Sequence, residues 1–275
     1  MIKLTKTISD FLVLSQNTDV SMYESSFLNK TLQKRITETK CKAMKDYYSL
    51  LKQSSAEGKI LIDALQNNYS EFFRNTLTYA VIKSIVLPSI LIKKNKKEIR
   101  IWSAACAQGQ EAYSTAMLLE EFRNGDKDRF KYRIFATDKC ESQIKKAITG
   151  IYRASDLNNV NLKQADKWFD KQNDTYTIKP ELMENIDFSV FDLLDNTSSS
   201  PATSIFGDFD IVICSNLLFY FNPESRKLII DKVTNSISND GYLVTGEAER
   251  AILLNHSFTE IFPQSGIFQR KRRQT

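Results

Sequence analysis

The stretch Ile101-Trp102-Ser103-Ala104-Ala105-Cys106-Ala107-Gln108-Gly109-Gln110-Glu111 decides the fold. An apolar segment, predicted as a strand over 99–105, runs into a row of small residues, and Gly109 stands where a helix is predicted to begin. Small side chains let a ligand approach the backbone closely, and the helix N-terminus offers free N–H groups. The stretch lacks the GxGxxG spacing of a dinucleotide fingerprint, so a plain strand-to-helix turn explains it equally well.

Strands and helices alternate through the chain that follows this stretch. Predicted strands cover 99–105, 132–137, 210–215, 242–245 and 266–270, and predicted helices cover 109–122, 141–149 and 223–236. Such βαβ repetition predicts an α/β fold with a mostly parallel sheet that is covered on both faces. The rhythm breaks between about 151 and 190, where 175–178 and 186–190 resemble short added strands. We interpret this region as a small β insertion.

The chain that precedes the stretch has a helical pattern. From residue 1 to about 92 apolar residues recur at helical spacing, and β-branched runs are scarce. Ser54-Ser55-Ala56-Glu57 is a capping-box pattern that predicts a helix start. Pro88 is expected to end or kink the last long helix, and the charged run 93–97 indicates an exposed linker. We therefore predict a helical domain over 1–94 and a sheet domain over 95–275.

The composition excludes several classes of protein. With 42% hydrophobic and 26% charged residues, the 275-residue chain has the balance of a soluble globular protein. No apolar run approaches the roughly 20 residues of a membrane span, so we expect a cytoplasmic protein without direct membrane insertion. Its cysteines are widely separated and never form CxxC, which predicts reduced thiols and no metal site; they are Cys41, Cys106, Cys140 and Cys214. Nothing in the sequence demands more than a monomer.

Histidine and charge narrow the chemistry further. The single histidine, His256, is expected on the surface or in a cap, which removes nucleophile systems that depend on imidazole. Residues 1–94 hold 14 Lys/Arg against 8 Asp/Glu, which favours an acidic partner. The basic residues are scattered and carry no nucleic-acid motif, so no nucleic-acid partner is expected. The run from Arg270 to Arg273 is predicted to be a solvated tail.

Polar residues follow two of the predicted strands, where ligands of open parallel sheets collect. Asp138 ends the second strand, about thirty residues after the small-residue turn, and is placed to accept hydrogen bonds from ribose hydroxyls or to cap the next helix. Asn216 follows a later strand and is suited to bind an amino acid or a base, or to satisfy its own loop. Together with the small-residue turn, they favour a nucleoside-containing cofactor.

Several motifs resemble those of the CheR family of chemotaxis-receptor methyltransferases. The opening stretch, continued through Ala112-Tyr113-Ser114, is similar to the family's first cofactor motif, and Asp138 fits as well. Later motifs match in the same order, namely Gly150-Ile151-Tyr152-Arg153, Phe209-Asp210-Ile211-Val212-Ile213-Cys214-Ser215-Asn216, Tyr220-Phe221 and Gly241-Tyr242-Leu243-Val244-Thr245-Gly246-Glu247-Ala248-Glu249. Asn68-Tyr69-Ser70-Glu71-Phe72-Phe73-Arg74 is similar to the family's Asn-x-Thr-x-Phe-Phe-Arg segment. The likeness covers nearly the whole chain.

The resemblance implies a fold, a cofactor and a reaction. It implies a class I S-adenosylmethionine-dependent methyltransferase fold, Rossmann-like, with a small all-α N-terminal domain. It implies methyl transfer to glutamate carboxylates on the cytoplasmic helices of chemoreceptors, with S-adenosylhomocysteine as product. The residues implied to line the cofactor site are Asn68, Ser70, Arg74, Glu111, Asp138, Asp192, Leu193, Asn216 and Leu217. Arg74 and Tyr220 are implied to lie nearest the transferred methyl group, as the catalytic residues.

The sequence also departs from the family pattern. Gly-Glu-Glu-Pro-Tyr is replaced by Gly109-Gln110-Glu111-Ala112-Tyr113, Ser70 stands for Thr, Asp192 for Asn, and Ser215 for the Arg common before the late Asn. The family's basic early helix has its counterpart at Lys34-Arg35, followed by the less basic Ile36-Thr37-Glu38-Thr39-Lys40. These differences leave two alternatives open. One is the same fold acting on another acidic protein or a small molecule, and the other is a non-catalytic signalling module.

Overall fold

The computed structural model describes residues 2–16, 18–66, 69–94, 98–126, 129–201, 204, 207–254 and 258–270. The predictions for Asn68, for His256, for the linker residues 95–97 and for the tail beyond Arg270 lie outside these residues. The chain forms two compact units, one of residues 1–67 and 219–227 and a larger one of 68–218 and 228–275. No helix in the described ranges combines the length and apolarity that a bilayer crossing requires. All four cysteine thiols are free.

The smaller unit consists mainly of helices. They are α1 (Ile2–Gln16), α2 (Ser25–Glu38), α3 (Met44–Gln53) and α4 (Ser55–Leu65). Their apolar faces meet in one core around Leu12, Leu32, Tyr47 and Leu61. Ser54 caps α4 by accepting a hydrogen bond from the Glu57 N–H at 3.2 Å, as the capping-box pattern predicts. The Glu57 carboxylate does not complete the box, because it binds Arg35 and Tyr47 instead.

Along the chain, the helices of the larger unit lie before, between and after the strands of its sheet. They are α5 (Thr76–Val81), α6 (Leu87–Lys94), α7 (Gln110–Arg123), α8 (Glu141–Thr149), α9 (Leu162–Trp168), α10 (Pro180–Met183) and α12 (Arg250–Leu254), while α11 (Pro223–Asn235) starts in the segment assigned to the smaller unit. A π-helical segment, Ile82–Val86, joins α5 to α6. Pro88 is expected to end or kink the helix; it does not end it, because α6 continues to Lys94, and a π-helical departure from the α-helix lies just before it. Proline lacks an N–H and crowds the carbonyl four residues earlier, and a π segment just before it relaxes that conflict.

The main sheet has seven strands in the order β6-β2-β1-β7-β8-β10-β9. Its strands are β1 (Glu98–Ser103), β2 (Lys131–Asp138), β6 (Ile186–Val190), β7 (Phe209–Ile213), β8 (Ile237–Val244), β9 (Phe258–Glu260) and β10 (Ile267–Arg270). The first five strands in the spatial order pair in parallel, and β10 pairs antiparallel with both neighbours. Ser103 of β1 lies opposite Ala136 on one side and Ile213 on the other. The carboxyl ends of these strands therefore meet at one edge, where the chain order reverses.

A second, three-stranded antiparallel sheet lies between α8 and β6 in sequence. It has the order β3-β5-β4, from β3 (Ile151–Arg153), β4 (Phe169–Gln172) and β5 (Thr175–Ile178). The interpretation of 186–190 as part of an insertion is wrong, since β6 pairs in parallel with β2 as the edge strand of the main sheet. The sequence identified 186–190 as strand-like, but only the pairing of β6 shows to which sheet it belongs.

The boundary between the compact units differs from the one predicted at 94. Residues 69–94 belong to the larger unit, whose core includes Val81, Ile82, Val86, Leu87 and Ile90 from this helical region. These side chains pack in the same cluster as strand residues of the main sheet. The charged run after the helix suggested a linker, but burial of the helix decides the boundary. The predicted fold class, α/β with a mostly parallel sheet and a small helical part, is confirmed.

Candidate active site

The turn between β1 and α7 has the geometry of a ligand-binding loop. Ala107 and Gly109 both have positive φ, +47° and +91°. A Cβ atom at Gly109 would lie 3.0 Å from the Ala147 Cβ and 3.1 Å from the Tyr113 ring, so glycine is required there by both conformation and space. Positive φ is strained for Ala107, and strain of this kind concentrates at functional sites. The turn thus brings backbone close to the carboxyl edge of the sheet, as the small residues predict.

Asp138, the last residue of β2, fastens this turn. Its Oδ2 accepts the Ala107 N–H at 2.9 Å, and its Oδ1 accepts the Cys140 N–H at 2.8 Å. Burial raises the pKa of Asp138, and the two N–H groups oppose that shift. The N-cap of α8 is Cys140, so Asp138 is not itself the capping residue. Each carboxylate oxygen has a second lone pair, which leaves Asp138 able to accept hydrogen bonds from ribose hydroxyls.

Glu111 stands in the first turn of α7 and faces the end of β1. Its Oε1 accepts a hydrogen bond from the Ser103 hydroxyl at 2.5 Å. Burial raises the pKa of Glu111 to about 7; the Ser103 hydrogen bond and the positive charge of Arg74 act against this rise, and the negative charge of Glu249 adds to it. The positive charge near Glu111 is therefore too small to offset the effect of burial on its pKa. An ammonium group placed beside it would favour its ionised form.

Arg74 follows a tightly held turn. Phe73 has a φ of +47°, and its N–H donates to the Ser114 hydroxyl of α7 at 2.9 Å. The exposed Arg74 guanidinium lies 5.4 Å from the centre of the Tyr69 ring, a cation–π contact. Ser70, half-buried, lies in the same loop. The turn brings Arg74 close enough to Glu111 for its charge to affect the Glu111 pKa.

Asp192 and Leu193 follow β6, next to the end of β2. The Asp192 Oδ1 accepts the Leu194 N–H at 2.9 Å, and its Oδ2 pairs with the Lys139 Nζ at 2.8 Å. Lys139 directly follows Asp138, so this ion pair joins the loops after two neighbouring strands. Leu193 is buried. Where the family has a neutral Asn, this chain thus carries a carboxylate whose charge is balanced by Lys139.

Asn216 and Leu217 follow β7 and are both partly exposed. Asn216 has a φ of +59°, and its N–H donates to the Glu249 Oε2 at 2.7 Å. Asn tolerates this left-handed conformation better than most residues do. The structure therefore brings the described candidates Glu111, Asp138, Asn216 and their neighbours to the carboxyl ends of adjacent strands.

Tyr220 belongs to the smaller unit. Its ring lies 4.7 Å from that of Phe27 in α2, and its carbonyl oxygen accepts the Glu24 N–H at 2.8 Å. The neighbouring Phe221 stacks on Tyr23 with ring centres 5.5 Å apart. The resemblance implies that Tyr220 lies near the transferred methyl group. In the structure its ring packs among aromatic residues of the smaller unit, and its catalytic role stays a prediction.

Sequence reasoning did not single out Ser103, Ser114 or Glu249 as contributors to the site. Ser103 and Ser114 resembled ordinary small residues of a strand and a helix, and their partners lie 8 and 41 residues away in the chain. Glu249 stood inside a quoted motif, but nothing in the sequence pairs it with Asn216. All three residues are fully buried in the structure, so the available signal was a polar residue at a position predicted to be buried.

Comparison with known proteins finds one family over most of the chain. A family model described as CheR methyltransferase, SAM binding domain, matches residues 68–267. Chemotaxis protein methyltransferase 1 of Pseudomonas aeruginosa is 30% identical over 218 residues, which cover 78% of this chain and 77% of that protein. Chemotaxis protein methyltransferase Cher2 of Pseudomonas putida is 31% identical over 193 residues (69% and 68%), and the Escherichia coli chemotaxis protein methyltransferase is 29% identical over 219 (78% and 72%). The matched range contains every candidate site residue.

Proposed function

The chain belongs to the CheR family of S-adenosylmethionine-dependent methyltransferases, and we propose that it methylates glutamate side chains of chemoreceptors. The observation that carries this proposal is the family match over residues 68–267. Three relatives that each match more than two thirds of the chain are chemotaxis protein methyltransferases by name. The product would be a glutamate methyl ester, with S-adenosylhomocysteine released.

The residues present fit S-adenosylmethionine. Glu111, whose pKa is raised to about 7 by burial, would hold the ammonium of the cofactor's amino-acid end. Asp138 keeps free lone pairs for the ribose hydroxyls while two N–H groups hold it in place. Asn216 and Leu217, together with Asp192, Leu193, Ser70 and Asn68, would complete the binding site. The cofactor supplies an activated methyl group on a sulfonium.

The protein's own contribution is alignment and charge. A glutamate acceptor is already ionised at neutral pH, so the chain does not have to remove a proton. Arg74, exposed at its turn, would guide the anionic acceptor toward the methyl group. The catalytic role of Tyr220 rests on the family resemblance alone. Alignment of two reactants contributes about 7–11 kcal/mol where the geometry is good.

The test is methyl transfer from radiolabelled S-adenosylmethionine to purified cytoplasmic fragments of chemoreceptors from the source organism. We expect label that alkali releases as volatile methanol, because it marks a carboxylate ester. A fragment with Gln at the candidate Glu positions should take up no label. Uptake of alkali-stable label, or of none by any fragment, would contradict the proposal and favour another acceptor or a non-catalytic module.

Arg74→Ala should lower kcat/KM about 100-fold or more, since it removes the charge that guides the acceptor. Arg129→Ala is a matched control. Arg129 is another exposed arginine on an aromatic ring, 4.5 Å from the centre of Phe122, and it lies outside the candidate site. Equal losses in the two variants would remove Arg74 from the proposed role.

A further inference from the structure

Glu249 is a fully buried acidic residue that contacts the loop of Asn216. It ends the 3₁₀ turn Glu247–Glu249 after β8, and its side chain is 0% exposed. Its Oε2 accepts hydrogen bonds from the Asn216 N–H at 2.7 Å, the Gly246 N–H at 2.9 Å and the Thr245 hydroxyl at 3.0 Å. Its Oε1 accepts the Leu218 N–H at 2.5 Å.

Two of these bonds hold the loop that follows β7. They fasten residues 216 and 218, so Leu217 is fixed between two anchors. One anchor is Asn216 itself, whose φ of +59° needs support from its surroundings. Gly246 allows the loop to approach closely, since a Cβ there would lie 2.6 Å from the Asn216 Nδ2.

The Glu249 carboxylate is held mainly by hydrogen bonds from backbone N–H groups. Among the salt bridges of the described residues, none involves Glu249, and its donors are three backbone N–H groups and one hydroxyl. Charged acceptors form stronger hydrogen bonds than neutral ones, which suits a group that must hold a strained turn. Burial raises the pKa of Glu249, and the backbone N–H groups and the Thr245 hydroxyl oppose this rise.

We propose that Glu249 is a positioning residue of the methyltransferase site, whose carboxylate holds Asn216–Leu218 in the conformation that binds S-adenosylmethionine. It is assigned no contact with the cofactor. The inference rests on the proposed placement of the cofactor against Asn216 and Leu217.

The variant Glu249→Gln tests this role. Whichever way the amide turns, its NH₂ group faces at least one N–H donor, so the loop loses an anchor while the side-chain volume is kept. We expect at least about a tenfold weaker binding of S-adenosylhomocysteine by calorimetry and a similar rise in KM for S-adenosylmethionine. Both quantities are measured at a temperature below the unfolding transition of the variant. Circular dichroism at the same temperature shows that the variant is folded.

Glu260→Gln is the matched control. Glu260 is also largely buried, at 9% exposure of its side chain, and it accepts the Gly266 N–H and two bonds from Arg250. A merely structural role for Glu249 would give equal losses of thermal stability and unchanged affinity in both variants, and that result would overturn the inference. Unmodified protein that binds no S-adenosylhomocysteine would instead overturn the proposed cofactor site.

If Glu249→Gln does not fold, the variant Thr245→Val tests the positioning role of Glu249 instead. It removes one donor to the Glu249 carboxylate and keeps the shape of the side chain. The comparison is Thr234→Val, which removes another buried hydroxyl, bonded to the Ile230 carbonyl of α11. We expect at least about a threefold weaker binding of S-adenosylhomocysteine in Thr245→Val only. Equal affinities in the two variants would overturn the inference.

Discussion

Glu57 of the smaller unit and three carboxylates of the candidate site in the larger unit are held by different kinds of partner. In the smaller unit, Glu57 accepts two hydrogen bonds from the Arg35 guanidinium, at 2.9 and 2.7 Å, and a third from the Tyr47 hydroxyl at 2.7 Å. In the larger unit, Glu111, Asp138 and Glu249 are held by hydroxyl and backbone N–H groups. None of these three has a salt bridge within the described residues.

This difference separates a structural use of charge from a functional one. In the Arg35–Glu57 pair each ion neutralises the charge of the other, and the pair joins α2 to α4. Glu111 lacks such a partner, and its raised pKa shows that ionisation is unfavourable without one. A cationic ligand would provide the missing charge. The raised pKa of Glu111 thus agrees with the proposed binding of the cofactor's ammonium beside it.

We expect the largest effect from a substitution that breaks the Arg35–Glu57 pair. Glu57→Gln leaves the Arg35 guanidinium, 12% exposed, without its main counter-ion, so we expect a loss of about 3 kcal/mol in the free energy of unfolding. The folded variant should bind S-adenosylhomocysteine as the unmodified protein does. Urea unfolding and calorimetric titration measure the two quantities.

Glu38→Gln is the control for this prediction. Glu38 also pairs with Arg35, at 2.5 Å, but its side chain is 46% exposed, so removal of its charge should cost less than about 1 kcal/mol. Similar losses in the two variants would show that burial does not distinguish the pairs.

The next effect concerns the carboxylate that fastens the β1–α7 turn. Asp138→Ala removes the acceptor of two backbone N–H groups and the proposed ribose contact, so binding of S-adenosylhomocysteine should weaken about 100-fold. Asp210→Ala removes a carboxylate that accepts the Arg100 N–H at the opposite end of the parallel strands. It should reduce stability and leave affinity nearly unchanged. Equal affinity losses would refute the site assignment.

The smallest effect depends on pH. Glu111 ionises with a pKa of about 7 in the fold, and an ammonium ligand favours the ionised form. Affinity for S-adenosylhomocysteine should therefore fall as the pH drops through about 7. Glu111→Gln should bind about tenfold more weakly at about pH 8, and the two proteins should become similar at about pH 5.5.

The same variant should be more stable without ligand. A carboxyl whose pKa is raised by folding opposes folding above its ordinary pKa, so the unmodified protein loses stability as the pH rises toward 7. Glu111→Gln removes this cost and should gain on the order of 1 kcal/mol at about pH 8. Glu120→Gln, a control on the same helix, should keep the unmodified pH dependence of binding. A pH-independent affinity of the unmodified protein would exclude Glu111 as the ammonium partner.

Local sequence was sufficient for the elements that flank the site. Apolar runs of Val, Ile and Phe predicted the strands that became β1, β2 and β7, and the helix predicted over 141–149 has those bounds in the structure. The position of Asp138 at a strand end could be predicted because parallel strands place their carboxyl ends together. The site roles of all the candidate residues, Asp138 included, stay predictions, and Asn68 lies outside the described residues.

Where prediction differed from structure, pairing or packing overrode a local signal. The charge run after residue 92 suggested a boundary, but α5 and α6 share a core with the sheet. Glu57 matched a capping box, yet the buried guanidinium of Arg35 is the stronger partner for its carboxylate.

The sequence alone determined the period of each element, the small residues that let a ligand approach the β1–α7 turn, and the polar residue types available at the strand ends. These properties depend on neighbours within a few positions. Only the tertiary structure decided that β6 extends the main sheet, that Ser103 contacts Glu111, and that Glu249 holds Asn216. These contacts join residues between 8 and about 50 positions apart, and their partners are set by strand pairing and by the need of each buried polar group for a hydrogen bond.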